Sequence, residues 1–381
     1  MRRYCLISVL FFCIFTVIGA ENFIKVKNGR FFSGDTFYSF FGTNWRYLES
    51  FEFKSSRQRD KILTEELDLM SYYGIKNLRI SLNLDSISPS LSHADKADVS
   101  AITNLDYLVK EAQQRSMHIT FCITDTAKRT LNEDSYNQSF LQHQLKSLVL
   151  HKNVFTHRAY NEDPVIMSWE FSMNLFRVKD AEQTSVHLNE FVSYMRSLLP
   201  QQLLSIADLI QHKKSEVNFI NVQIYGNPYV DYVAIEILPS EFGWVSEDRI
   251  FEDLSNAYVK TNEYLDRIEY LAQKYDKPIV VDKFSYPRDR SRRIPLTTTR
   301  SRDGFYTYML EKLFQSSQKN GYVSGVFMYL WGGWHVPMDY RKISLLSLLK
   351  NEKELNPYYV CSSDSSTLQI IAKGIESLQK K

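Results

Sequence analysis

The sequence Tyr160-Asn-Glu-Asp-Pro-Val-Ile-Met-Ser-Trp-Glu-Phe-Ser-Met-Asn-Leu175 decides the fold. An acidic turn that contains Pro164 leads into an apolar run, Val165 to Trp169, and polar residues follow that run. A short apolar segment bounded by a proline turn is typical of a buried parallel strand. In a parallel α/β barrel, the carboxyl end of such a strand is where chemistry takes place. We therefore expect candidate functional residues directly after Trp169, among them Glu170 and Asn174.

Strand-like and helix-like segments alternate along the rest of the chain, which indicates parallel strands joined by right-handed crossovers. The other seven strands are predicted at 37–42, 76–81, 117–123, 203–207, 232–238, 278–284 and 325–331. Helices are predicted at 59–73, 102–115, 138–150, 185–199, 258–275, 303–318 and 368–380. A hairpin over 23–32, with Asn28-Gly29 as its turn, would cover the bottom of the sheet. The pattern predicts an α/β fold, a (β/α)8 TIM barrel with a short N-terminal β-hairpin.

The N-terminal segment Met1–Ala20 has a charged start, a continuous apolar stretch and a small-residue exit. These features are typical of a signal peptide, so we expect cleavage near Ala20 and a secreted or periplasmic protein. The remaining segment 21–381 shows no linker and is expected to form one domain without a membrane span. A net charge of +2 does not indicate nucleic acid as a partner.

Several motifs resemble those of the endo-β-1,4-mannanases of glycoside hydrolase family 5. The segment from Asp163 to Leu175 is similar to the family motif Asp-Pro-x-Ile-Met-x-Trp-Glu-Leu-x-Asn-Glu-Pro. The segments Gly42-Thr-Asn-Trp-Arg-Tyr47, Leu78-Arg-Ile80 and Asp276-Lys-Pro-Ile-Val-Val-Asp-Lys-Phe-Ser285 are similar to further family motifs, in the same order. The resemblance implies the barrel fold and a β-linked polysaccharide such as mannan as the ligand. The spacing of the cysteines and histidines does not predict a metal site, and no cofactor is expected.

The two catalytic positions that the resemblance implies are both substituted. The acid/base glutamate corresponds to Asn174, its preceding asparagine to Met173, and the nucleophilic glutamate to Lys283. Retaining glycosidases need two carboxylates, one as nucleophile and one as proton donor. An amide cannot deliver a proton, and an ammonium group repels a cationic transition state. We expect a protein that is catalytically inactive or impaired, a pseudoenzyme that binds carbohydrate.

Other residues at the carboxyl ends of the predicted strands have more than one interpretation. Arg79 matches the arginine that orients the nucleophile in the family, and it could also be an interior arginine held by Glu170 or Glu236. Trp331, with Trp45 and Trp334, could form a floor on which a sugar stacks. Met173 and Glu236 complete the expected substrate-binding set.

The main alternative to an inactive protein is an enzyme whose catalytic carboxylates lie at other positions of the barrel. Glu236 could act with Asp208 or Asp125 in an active endo-β-glycosidase, or it could instead neutralise Lys283 in an ion pair. Asp282 is expected to face the helices or to pair with a base, since successive strand residues point to opposite faces. Glu170 is expected to be a structural hydrogen-bond acceptor. A third hypothesis is an exported scaffold whose surface binds a protein.

Overall fold

The structure is a computed structural model that describes residues 22–45, 53, 55–84, 87, 100–124, 135–172, 181–207, 219–289, 298–334 and 357–380. Its strands are β1 (Ile24–Lys27), β2 (Arg30–Ser33), β3 (Thr36–Tyr38), β4 (Phe40–Asn44), β5 (Asn77–Asn83), β6 (His118–Thr124), β7 (Ile166–Ser172), β8 (Leu203–Ala207), β9 (Val233–Ile237), β10 (Ile279–Phe284), β11 (Val323–Met328), β12 (Leu330–Gly333) and β13 (Tyr359–Cys361). Its α-helices are α1 (Ser56–Tyr72), α2 (Ala101–Gln114), α3 (Ser135–Val149), α4 (Ala181–Leu198), α5 (Phe219–Gly226), α6 (Leu254–Tyr275), α7 (Arg300–Gln318) and α8 (Ser365–Gln379).

Eight strands form the central sheet, in the order β8-β7-β6-β5-β4-β11-β10-β9, and the pairs between named strands are parallel. The two terminal strands of this order approach each other, because the backbone N–H of Asp231 donates to the carbonyl of Leu204 at 2.8 Å. The Ser205 hydroxyl also donates to the carbonyl of Tyr232 at 2.7 Å. The sheet is therefore nearly closed, and the predicted (β/α)8 barrel is confirmed.

Strand β7 shows why the deciding stretch is buried on both faces. Ile166, Trp169 and Phe171 belong to the core cluster that also contains residues of the surrounding helices, such as Leu145 and Leu188. Polar residues of the same strand point the other way, into the barrel. Both faces are covered, as expected for a strand of a parallel barrel.

The N-terminal hairpin packs against the amino ends of the barrel strands. Asn28 and Gly29 both have positive φ, 50° and 62°, which a two-residue hairpin turn requires. Phe31 is fully buried and contacts the rings of Phe40 and Tyr232. The hairpin covers the bottom of the barrel, as predicted, and the carboxyl ends of the strands lie at the opposite end.

Two predicted strands differ in the structure, and one helix of the structure was not predicted. The predicted first barrel strand, 37–42, is divided, because β3 pairs back on β2 of the hairpin and β4 enters the barrel. The predicted eighth strand, 325–331, also ends early, because the barrel strand β11 stops at Met328 and β12 pairs with β13 instead. Helix α5 was not predicted.

Candidate functional site

Arg79 is the centre of a buried polar cluster inside the barrel. Its Nε donates to Oε2 of Glu170 at 2.6 Å, and its Nη2 donates to Oδ2 of Asp282 at 3.1 Å. The guanidinium is 1% exposed and both carboxylates are fully buried. A planar guanidinium can serve two carboxylates at once because its donors point in fixed, separate directions. The interior arginine predicted from the sequence is present, held by Glu170 and Asp282.

Asn44 completes the arrangement around Arg79. Its Oδ1 accepts from Nη1 of Arg79 at 2.9 Å, and its Nδ2 donates to the carbonyls of Asp282 and Met328 at 2.7 and 3.1 Å. One amide thus joins β4, β10 and β11. Sequence reasoning did not select Asn44, although it stands inside the quoted Gly42-Thr-Asn-Trp motif.

Glu170 is a hydrogen-bond acceptor on both oxygens. Besides the contact with Arg79, its Oε1 accepts from the Tyr232 hydroxyl at 2.7 Å. Burial raises the pKa of Tyr232 far above its usual range, and the Glu170 carboxylate raises it further. Tyr232 therefore stays a donor at any physiological pH. These contacts agree with the structural role expected for Glu170.

Lys283 forms an ion pair with Glu236, as the ion-pair hypothesis expected. The lysine lies on β10 and the glutamate on the neighbouring β9, where the two are Cα partners in the register. Glu236 is 4% exposed and Lys283 has 21% of its side chain exposed. The positive charge therefore stands at the solvent side of the cluster, with its acidic partner beneath it.

A bulge in β10 allows Asp282 and Lys283 to join the same cluster. Val281 pairs with Ile235 and Lys283 pairs with Glu236, so two residue steps on β10 match one step on β9. Such an extra residue breaks the alternation of side chains along a strand. Of the two expectations for Asp282, facing the helices is wrong, and pairing with a base, here Arg79, is confirmed.

The second oxygen of Asp282, Oδ1, has no hydrogen-bond partner among the described residues. Burial raises the pKa of Asp282 well above its usual range, the positive charges of Arg79 and Lys283 oppose the shift, and Glu236 and Glu170 add to it. Among the described residues, the cluster holds three acidic side chains, Glu170, Glu236 and Asp282, and the two basic side chains of Arg79 and Lys283. The raised pKa of Asp282 favours a proton on its carboxyl group.

The tryptophans predicted as a sugar floor have very different exposures. Trp45 and Trp331 are 1% and 2% exposed, whereas Trp334 is 55% exposed. The indole N–H of Trp331 donates to Oε2 of Glu66 at 2.8 Å. Trp331 and Trp45 are buried core residues in this structure, and Trp334 is exposed to solvent.

Four residues of the predicted site lie outside the described residues: Asp125, Met173, Asn174 and Asp208. The expected signal segment, Met1–Ala20, lies outside them as well. Among the helices that the structure describes, none is long and apolar enough to cross a bilayer. The described residues also contain no group of three or more metal-ligating side chains.

The arginines after β10 separate into two kinds. Arg288 and Arg302 both contact the Asp364 carboxylate, and Arg302 is fully buried. Arg300, by contrast, is exposed at the start of α7. The buried pair joins the segment after β10 to the start of α8, which is a structural use of their charge.

Comparisons with known proteins point to one group. A family model described as glycoside hydrolase family 5 β-mannosidase-like matches residues 122–381. Mannan endo-1,4-β-mannosidase 3 of Arabidopsis thaliana is 21% identical over 281 residues, and mannan endo-1,4-β-mannosidase 3 of rice is 22% identical over 322 residues. These alignments cover 64% and 74% of this chain and 64% of each relative. For another Arabidopsis relative the chain spans 51% of its length.

Solved structures show the same fold. The family 5 mannosidase of Rhizomucor miehei superposes with a TM-score of 0.74 at 18% identity, covering 94% of this chain and 98% of that one. The endo-β-1,4-mannanase of Thermotoga petrophila superposes with a TM-score of 0.64 at 17% identity, covering 90% of this chain and 77% of that one. A point mutant of the Rhizomucor enzyme, in which one glutamate is replaced by alanine, was solved in complex with mannosyl-fructose.

Proposed function

Because the chain belongs to the glycoside hydrolase family 5 β-mannosidase-like family, we propose that it is an exported family member that binds β-linked mannan and does not hydrolyse it by the two-carboxylate mechanism. The observation that carries the proposal is the ion pair of Lys283 with Glu236. The family resemblance implies a nucleophilic carboxylate at position 283. An ammonium group there offers no electron pair while it is protonated, and it repels the positive charge that develops on the sugar.

The second missing group is the proton donor. The resemblance implies a glutamate at position 174, and the chain has Asn174 there. Removing a general acid usually costs about 10²–10⁴-fold in rate, and the loss of a nucleophile adds to that cost. Both losses together leave binding as the activity that the site can retain.

Mannan is the proposed ligand because of what the similar proteins act on and bind. The curated relatives are mannan endo-1,4-β-mannosidases, and a Rhizomucor mannosidase mutant binds mannosyl-fructose. Export is proposed from the charged start and apolar stretch of Met1–Ala20.

Two assays on the purified protein test the proposal. Reducing-end release from galactomannan measures hydrolysis, and mobility in gels that contain galactomannan measures binding. We expect retarded mobility and no release of reducing ends above a protein-free blank. Retardation with sustained release would overturn the inactive part of the proposal. The absence of retardation by galactomannan would overturn the binding part, and its absence in matched gels with a β-linked glucan as well would favour a protein-binding scaffold.

A second candidate is a hydrolase that uses a relocated carboxylate. Asp282 favours it, because Arg79 holds this carboxylate through one oxygen and the other oxygen is without a hydrogen-bond partner among the described residues. A catalytic pair of Glu236 with Asp208 or Asp125 is less favoured, because Glu236 forms an ion pair with Lys283. If any hydrolysis is measured, Asp282→Asn abolishes it under this candidate and leaves it unchanged otherwise.

A further inference from the structure

Trp334 is the exposed member of the chain's five tryptophans, all of which the structure describes. Trp45, Trp169 and Trp331 are between 0% and 2% exposed, and Trp244 is partly buried against the core. Trp334 is 55% exposed. Tryptophan is among the residues most enriched at the energetic centres of binding sites.

Contacts from helix α1 hold Trp334 in place. Its backbone N–H donates to Oε1 of Glu66 at 3.0 Å, and its indole N–H donates to the carbonyl of Glu65 at 3.3 Å. The other oxygen of Glu66 accepts from the indole of Trp331 at 2.8 Å. One carboxylate therefore fixes the turn between the two tryptophans.

Gly333 makes this close approach possible. Its φ is +57°, a conformation that other residues rarely adopt, and a Cβ at this position would lie 1.9 Å from Oε2 of Glu66. The turn thus has a specific sequence requirement. A platform whose orientation is fixed in advance loses little conformational entropy when a ligand covers it.

The segment that carries Trp334 leaves the barrel at the carboxyl ends of the strands. The chain passes from β11 through Tyr329, whose N–H donates to the carbonyl of Phe284 at the end of β10 at 2.8 Å, and then through β12 to Trp334. The carbonyl of Met328, the last residue of β11, accepts from Asn44 in the Arg79 cluster. This is the end of the barrel where family members act on their substrates.

We propose that Trp334 is the platform on which a neutral β-linked mannan chain stacks, and that Glu66 is the positioning residue for that platform. The inference rests on the proposed mannan binding and names the surface that performs it. The weakly positive C–H face of a pyranose ring fits the electron-rich face of an indole. The half-exposed Glu65 carboxylate next to this turn disfavours an acidic glycan.

Tryptophan fluorescence tests the platform directly. Acrylamide quenches accessible indoles, so most collisional quenching in the folded protein comes from Trp334, and Trp334→Phe should remove that component. Mannohexaose should protect the wild-type protein from acrylamide to the extent that it binds. A Trp244→Phe variant, which changes a partly buried tryptophan, should keep the protection.

Affinity for mannohexaose, measured by calorimetry, completes the test. We expect Trp334→Ala to weaken binding about tenfold or more, as for a central aromatic of an interface, and Tyr270→Ala, which removes an aromatic that is 73% exposed, to leave it unchanged. Glu66→Gln should weaken binding less and should lower the fluorescence anisotropy of Trp334 by loosening the turn. Far-ultraviolet circular dichroism checks that each variant is folded.

The outcomes separate the two proposals. If the wild-type protein binds mannohexaose and folded Trp334→Ala binds it equally well, the platform is wrong while mannan binding stands. If the wild-type protein does not bind, the proposed function is itself overturned. Protection from acrylamide that is lost in Trp334→Phe supports both.

Discussion

Nη2 of Arg79 lies 3.1 Å from Oδ2 of Asp282, so the carboxylate that Arg79 holds on β10 belongs to residue 282 and not to position 283. The bulge between Val281 and Lys283 produces this arrangement. Two successive residues of β10 therefore form different ion pairs. Asp282 binds the arginine in the interior, and Lys283 binds Glu236 nearer to solvent.

Lys283→Ala should destabilise the protein, because the change leaves the 4%-exposed Glu236 carboxylate without its cation. We expect a loss of about 2–3 kcal/mol in the free energy of unfolding, less than for a fully buried pair because Lys283 is partly exposed. Urea unfolding followed by circular dichroism measures the change. Lys260→Ala is the matched control: Lys260 and Glu263 pair on the surface, so the loss should be much smaller than that of Lys283→Ala.

The double variant Lys283→Ala with Glu236→Gln should recover much of this stability, since position 236 then carries no buried charge. Equal stability of Lys283→Ala and the wild-type protein would show that the ion pair has no structural role.

Asp282→Asn should change how stability depends on pH. Burial raises the pKa of Asp282 in the folded state, so its protonated form stabilises the fold below the unfolded pKa of about 3.9, and that contribution is lost as pH rises through the folded value. The amide cannot ionise. The unfolding free energy of the variant should therefore increase relative to the wild type between pH 5 and pH 8.

Asp289→Asn is the control for this pH test, because its effect on the free energy of unfolding should change with pH in the opposite direction. Burial opposes ionisation of Asp289, but hydrogen bonds from Ser301, Thr298 and Arg300 outweigh burial and lower its pKa. Its contribution is present above the unfolded pKa and is lost as pH falls through the folded value. The free energy of unfolding that Asp289→Asn loses relative to the wild type should become smaller at acid pH. A pH-independent difference between Asp282→Asn and wild type would contradict a proton on Asp282.

The sequence predicted the barrel more completely than it predicted the site. Strand β8 has the predicted bounds, 203–207, and helix α6 ends at the predicted Tyr275, because apolar periodicity and turn residues are local signals. The bulge that lets Asp282 and Lys283 join one cluster has no such signal, since it depends on pairing with β9. Alternation counted from Lys283 therefore misplaced Asp282.

Trp331 illustrates a second limit of predicting strands from the sequence. Its apolar neighbours continue the pattern of β11, yet β12 pairs with β13, a segment about thirty residues further along the chain. Periodicity along the chain does not report non-local pairing of this kind. Helix α5, Phe-Ile-Asn-Val-Gln-Ile-Tyr-Gly, is too short for a helical period to stand out.

Placing glutamate at positions 174 and 283, where the family resemblance implies the two catalytic carboxylates, should not suffice for activity. In Asn174→Glu with Lys283→Glu, the new carboxylate at position 283 would face Glu236, its partner in the register. Like charges in a poorly solvated site resist joint ionisation and destabilise the fold. Adding Glu236→Gln, which removes the opposing charge, should raise the melting temperature above that of the double variant and give faster galactomannan hydrolysis. A double variant that equals the triple variant in both measurements would contradict this coupling.

The central claim is that the chain has lost the two-carboxylate mechanism while keeping the barrel that supported it. Prolonged incubation of the purified wild-type protein with galactomannan, followed by measurement of released reducing ends, tests this claim most directly. We predict release indistinguishable from that of a Lys283→Ala preparation and of a protein-free blank. Sustained release by the wild-type protein that Asp282→Asn abolishes would contradict the claim and identify a working hydrolase.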